Sequence, residues 1–170
     1  MADRILIIGI GNLLRSDDGV GIHAAQALAA DPPPGVEVVD AGTDVLSALP
    51  FLESADSVLI IDAVQAGGAP GTIYRFAENE IPAQRAASSA HAGNLLAARW
   101  LQAPGTRWPE ILILGVEPRD LDYGLDLSPP VAAILPRVLK EARVIVARWM
   151  GRQEIPAGFH EPIFCGEKTS

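Results

Sequence analysis

Arg4-Ile-Leu-Ile-Ile-Gly-Ile-Gly-Asn-Leu-Leu-Arg-Ser-Asp-Asp-Gly-Val-Gly-Ile-His-Ala-Ala-Gln-Ala-Leu-Ala-Ala30 is the stretch whose reading decides the fold. The isoleucine-rich run from Arg4 to Ile8, ended by Gly9, has the pattern of a strand buried on both faces. From Val20 to Ala30 the apolar residues Val20, Ile22, Ala24, Ala25, Leu28 and Ala29 fall broadly on one helical face, and Asp31-Pro-Pro-Pro-Gly35 stops the helix. Strand, loop over Gly9 to Asp18, then helix is the opening unit of an α/β domain.

The unit recurs along the chain. Val36 to Val39 reads as a strand ending at Asp40, and Asp44 to Leu52 as a helix with Thr43 placed to cap it. Ser57 to Ile61 is a third strand, closed by Asp62, and Thr72 to Phe76 a fourth. A polar loop follows to Ala90, then an alanine-rich helix from His91 to Gln102 and a fifth strand from Glu110 to Leu114. Ser128-Pro129 opens a helix that runs to about Trp149, because proline is tolerated at the first helical position. This alternation predicts a three-layer α/β/α fold around a mostly parallel twisted sheet of about five strands, an arrangement that resembles the phosphorylase/hydrolase-like folds. One domain is expected over residues 1–150, with a tail without periodicity over 151–170. In such sheets the site lies outside the carboxyl ends of the strands. Asp18, Asp40 and Asp62 each follow a strand directly or through one short loop, so all three are expected on that edge.

Charge narrows the function further. Of 170 residues 49% are hydrophobic and 20% charged, with a net charge of −8. Up to Asp62 there are ten acids against two bases, and beyond it eleven of each. An acidic first third argues against nucleic acid and anionic membranes, and for either a cation or basic peptide as partner or a solvated acidic surface. The one cysteine, Cys165, permits no internal disulfide and suits a reducing cytoplasm. The start of the chain is too short and too acidic for a signal peptide, and no apolar run approaches the roughly 18 residues of a membrane span.

Gly9-Ile-Gly-Asn-Leu-Leu14 begins like a dinucleotide-binding fingerprint, but Leu14 stands at the third glycine, and Asp17 and Asp18 would repel a pyrophosphate. The glycines read better as turn residues. Of the adjacent acids, Asp17 is expected to cap the helix or face solvent and Asp18 to point into the site. Asp40-Ala-Gly-Thr43 has neither the spacing nor the second copy of an aspartic-protease dyad, and reads as a turn. Asp62 closes an apolar strand where a carboxylate is poorly solvated and needs a partner. With His91 at a helix start, Asp18 and Asp62 would make a three-ligand site with open positions, suited to zinc or nickel. No serine-hydrolase elbow, His-Glu-x-x-His motif, Walker loop or plausible cysteine nucleophile is present. Arg119, Asp120, Asp122 and Tyr123, after the fifth strand, fit a substrate contact and a solvated loop equally well.

Together, Gly9 to Gly21, Asp40-Ala-Gly-Thr43, Ile61-Asp62-Ala63, His91, Gly115-Val-Glu-Pro118 and Leu127-Ser-Pro129 resemble the NiFe-hydrogenase maturation endopeptidases, in order from about residue 4 to residue 150. The resemblance implies a cytoplasmic protease, a hydrolase that removes a C-terminal peptide from the hydrogenase large-subunit precursor once nickel is inserted. The metal-contacting residues it implies are Asp18, Asp62 and His91, with Asp40 in a supporting part among the catalytic residues. It implies nickel carried by the substrate and no organic cofactor. A monomer is expected, since no oligomer seam is evident. The alternatives are a non-catalytic nickel chaperone on the same ligands and a nucleotide-binding module.

Overall fold

The computed structural model describes residues 3–78 and 105–151. Three runs with no polar face nucleate the sheet: β1 (Ile5–Ile10) and β3 (Ser57–Ala63) are buried at every position, and β5 (Glu110–Val116) at every position after Glu110. Strands of this kind need cover on both sides and so sit centrally. With β2 (Val36–Gly42) and β4 (Ile73–Ala77) at the edges, the order is β2-β1-β3-β5-β4. All pairings are parallel except that of β4 with β5, which makes the five-stranded sheet mixed.

The pleat divides the core in two. On one face Ile5 and Ile7 of β1, Leu59 and Ile61 of β3, and Leu112 and Leu114 of β5 meet α1 (Val20–Ala30) and the long helix α3 (Pro129–Met150). Val20, Ala24 and Leu28 come from α1, and Val131, Val138, Ala142, Ile145 and Trp149 from α3. On the other face Leu6, Ile8, Val58, Ile60, Ile111 and Ile113 meet Ala48, Leu52 and Trp108, with Leu52 supplied by the short α2 (Leu49–Ser54). Each fully buried Leu or Ile contributes roughly 1.5–3 kcal/mol relative to exposure, so these layers hold the fold. Among the described residues the three layers expected from the sequence are present.

The differences lie at element ends. β2 and β3 run past the expected stops, to Gly42 and Ala63, so Asp40 and Asp62 belong to the strands themselves and alternation decides which way each points. The second helix is shorter than expected and is preceded by a 3-10 turn over Val45–Ala48; no side chain caps it. The helix expected from His91 to Gln102, His91 itself and residues 152–170 lie outside the described residues. No described helix is long and apolar enough to cross a membrane.

Candidate active site

The loop after β1 is built on close backbone contacts. A Cβ on Gly21 would collide with the carbonyl oxygens of Ile61 and Ile10, so glycine lets the first turn of α1 rest directly on the ends of β1 and β3. Gly11 has a φ of +140°, and a Cβ there would strike the carbonyl oxygen of Asp18. The Asn12 N–H donates to that same carbonyl at 3.2 Å, and the Asp18 N–H donates to the Arg15 carbonyl at 3.0 Å. Asp18 therefore sits, half-buried, in a 3-10 turn (Ser16–Gly19) folded back on the glycine loop. These are the turn glycines that the sequence suggested, and they bring main chain close to the loop.

Asp17 departs from the expectation of a cap or a solvent-facing acid. It is fully buried. Oδ2 accepts from the backbone N–H of Arg119 at 2.8 Å, that of Asp120 at 2.9 Å and the Ser128 hydroxyl at 2.7 Å, and Oδ1 accepts from the Ser128 N–H at 2.7 Å. Ser128 precedes α3 but makes no side-chain cap, because its hydroxyl is committed to Asp17. No cationic side chain touches Asp17 among the described residues. The carboxylate is held by four donors from the loop between β5 and α3, which supplies what burial of a charge demands.

That loop is also joined to the Asp18 turn along the main chain. The Gly124 N–H donates to the Leu14 carbonyl at 3.0 Å and the Ser16 N–H to the Gly124 carbonyl at 2.9 Å. Arg15 Nε reaches the Leu121 carbonyl at 3.0 Å. Ser16, at φ 45°, is the one non-glycine residue with positive φ among those described. Such a conformation costs on the order of 1–3 kcal/mol and persists where surrounding contacts over-determine it. Here it opens the 3-10 turn that carries Asp17 and Asp18.

Asp40 and Asp62 both lie at the carboxyl edge, but on opposite faces of the sheet. Asp40 pairs with Gly9 and so shares the face of α1, where it accepts from Gln26 Nε2 at 3.1 Å. Its other oxygen accepts from the Gly42 N–H at 3.0 Å, and the Gly42 carbonyl accepts from the Gly11 N–H at 2.9 Å. This chain links Asp40 to the backbone beneath Asp18. Asp62 lies between Ile60 and Val64 in the alternation and points to the face away from α1. It is fully buried, accepts the Ala63 N–H at 2.8 Å and pairs across the sheet with Gly115.

A further acid escaped the sequence reading. Glu117, one residue past β5, is buried and accepts from the N–H groups of Ala66 at 2.8 Å, Gly68 at 3.3 Å and Gly67 at 3.4 Å, and from the Tyr74 hydroxyl at 2.8 Å. It holds the loop that leaves β3 just beyond Asp62. Burial, with the Glu117 carboxylate beside it, pushes the Tyr74 phenol up to about 12. The signal that singled out Asp62, an acid closing an apolar strand, was equally available in Leu114-Gly-Val-Glu117.

Asp18, Asp40 and Asp62 thus all stand at one edge, and Arg119, Asp120, Asp122 and Tyr123 on a loop bonded to it. Among the described residues no three His, Cys, Asp or Glu side chains form a metal-binding group, and His91 lies outside them.

The family profile described as hydrogenase maturation protease matches residues 22–144. The hydrogenase expression/formation protein HoxM of Azotobacter vinelandii is 36% identical over 86% of this chain and 73% of its own. The hydrogenase 2 maturation protease of Escherichia coli is 30% identical over 90% of this chain and 96% of its own. In three dimensions the chain resembles the hydrogenase maturating endopeptidase HybD of E. coli, with a TM-score of 0.72 and 29% identity over 87% of this chain and 93% of that one. It resembles the NiFe-hydrogenase maturation protease HybD of Thermococcus kodakarensis with a TM-score of 0.71 and 30% identity, covering 84% of this chain and 98% of that one. With the mixed α/β sheet and the acidic carboxyl edge on the page, these matches make the chain a member of the hydrogenase maturation protease family, and hence a hydrolase.

Proposed function

We propose that this chain is an endopeptidase that removes a C-terminal peptide from the nickel-loaded large-subunit precursor of a NiFe-hydrogenase, recognising the nickel that the precursor carries. The observation that carries the reading is Asp62, a fully buried carboxylate at the penultimate position of the central strand β3, at the edge where Gly21 seats the start of α1, just after the Asp18 turn, on the ends of β1 and β3. Asp18, Asp62 and His91 are the ligands: two hard oxygens and one imidazole nitrogen suit nickel and leave positions open for the precursor's own donors. Carboxylates gathered at one edge favour a precursor that carries a cation over one that does not, so selection for the loaded precursor follows from electrostatics. Asp40 supports the site through Gly42 and Gly11 and does not reach it directly. Water activation falls to the bound nickel acting as Lewis acid, or to a carboxylate acting as general base. No organic cofactor enters. The enzyme acts as a monomer, and in the cytoplasm, a compartment that its single cysteine suits.

The test is to incubate nickel-loaded precursor with the protein and follow loss of mass at the precursor's C-terminus. Asp18→Asn, Asp62→Asn and His91→Ala are each expected to slow cleavage by roughly a hundredfold or more while leaving the unfolding midpoint near that of the parent. Full processing by all three variants overturns the ligand assignment. Nickel transfer without loss of mass, with the parent protein, indicates a chaperone.

A further inference from the structure

Large apolar side chains stand exposed beside the site. Leu14 is 59% exposed, Tyr123 92% and Leu125 69%. Arg15 and Gly124 form a parallel bridge, which sets Leu14 next to Tyr123 and carries Leu125 on the following residue. Exposed leucines scattered singly need no explanation, but a contiguous group with a bare tyrosine has the composition of a protein interface anchor. The segment is also held in place before any partner arrives: Asp17 accepts four hydrogen bonds from it, and Ser16 and Arg15 bind the carbonyls of Gly124 and Leu121. A surface already ordered loses less conformational entropy on binding than a mobile loop does.

We propose that Leu14, Tyr123 and Leu125 form the docking rim on which the folded body of the precursor sits, a reading that rests on the function proposed above and adds to it a contact remote from the scissile peptide. Two observations select this occupant. The rim hydrogen-bonds directly to the turn carrying Asp18, so a protein substrate that brings a metal to Asp18 comes to lie beside it. The rim is also bordered by the exposed Asp120, Asp122 and Asp126, which outnumber the bases beside it, Arg119 and Arg15, the latter tied by its Nε to the Leu121 carbonyl. The complementary surface is an apolar patch edged by lysine or arginine, and such rim charges steer association more than they set its strength.

The experiment compares the parent protein, a Tyr123→Ala/Leu125→Ala pair, an Asp122→Lys/Asp126→Lys pair, and Met150→Ala, which changes an exposed apolar residue at the far edge. Precursor binding and steady-state cleavage are measured separately, with unfolding midpoints confirming that each variant folds. The apolar pair is expected to raise KM about tenfold or more with kcat nearly unchanged. The charge-reversed pair is expected to slow association mainly at low salt, and Met150→Ala to change neither. If the parent cleaves and both pairs match it in KM, the rim is overturned while the protease reading stands. Should the parent bind without cleaving and the apolar pair lose binding, the protease reading falls and the rim stands. Failure of the parent to bind at all removes both. A dimer of this chain that the apolar pair dissociates, with precursor KM unchanged, assigns the surface to a second copy and overturns the proposal.

Discussion

At the amino edge of the sheet the acids meet arginines: Asp31 lies 3.0 Å from Arg143, Glu37 3.9 Å from Arg4, and Asp56 2.6 Å from Arg107. At the carboxyl edge the buried Asp17 and Glu117 meet N–H and O–H donors, with no cationic side chain in contact with either among the described residues. The amino edge neutralises its acids in solvent, where such pairs are each worth little. At the carboxyl edge the protein's own dipoles solvate Asp17 and Glu117, which orders the loops that carry those donors. The fold therefore sorts the acids of the first third by place: Asp31, Glu37 and Asp56 lie in surface pairs at the amino edge, whereas Asp17, which joins two loops, stands at the carboxyl edge with Asp18 and Asp62.

The sharpest way to break this contrast is Asp17→Ala. It strands three part-buried backbone N–H donors, and unsatisfied donors cost about 1–3 kcal/mol each, so a loss of about 3 kcal/mol in urea unfolding is expected. Precursor cleavage should fall with it, although Asp18 is untouched. A loss no larger than that from removing a surface arginine would put the two edges on the same footing. Next in size is Glu117→Gln, expected to cost about 1–3 kcal/mol, since an amide oxygen accepts less strongly than a carboxylate and its NH2 faces donors.

Tyr74 sharpens the same point by titration. Its folded value of about 12 lies above the ordinary 10.0, so its contribution is complete below pH 10 and is lost as pH rises through about 12. Phenolate absorbance should show one tyrosine titrating late, and Glu117→Gln should bring it back towards 10.0. The smallest effects belong to the amino edge. Arg143→Ala should change stability by no more than about 0.5 kcal/mol. The backbone N–H of Arg4, and then the Arg107 guanidinium, hold Asp56 below its ordinary 3.8. Its small contribution is present above 3.8 and fades as pH falls through the lower folded value, so Asp56→Asn should slightly flatten the acid limb of the stability profile.

Much of the architecture was legible because it depends on near neighbours. The apolar runs of β1, β3 and β5 and the periodicity of α1 and α3 announce themselves within a few residues, and burial then leaves them little choice of place. Strand ends were less legible: β3 extends to Ala63 because β5 pairs with it up to Val116, a fact that no local pattern around Asp62 contains. Asp17 was misread for the same reason, since its donors lie at Arg119, Asp120 and Ser128. A pair of adjacent aspartates at a helix start looks alike in sequence whether one caps the helix or is buried under a distant loop.

The sequence by itself determined the α/β class, the edge at which the acids gather and, through the order of its motifs, the family. Only the tertiary structure decided which acid serves which end: Asp17 and Glu117 as buried anchors, Asp40 on the α1 face beneath the glycine loop, Asp62 on the opposite face. The physical reason is that strand and helix formation are governed by local sterics and periodic burial, whereas the environment of a carboxylate is set by whichever donors the fold brings to it, here from residues about a hundred positions away.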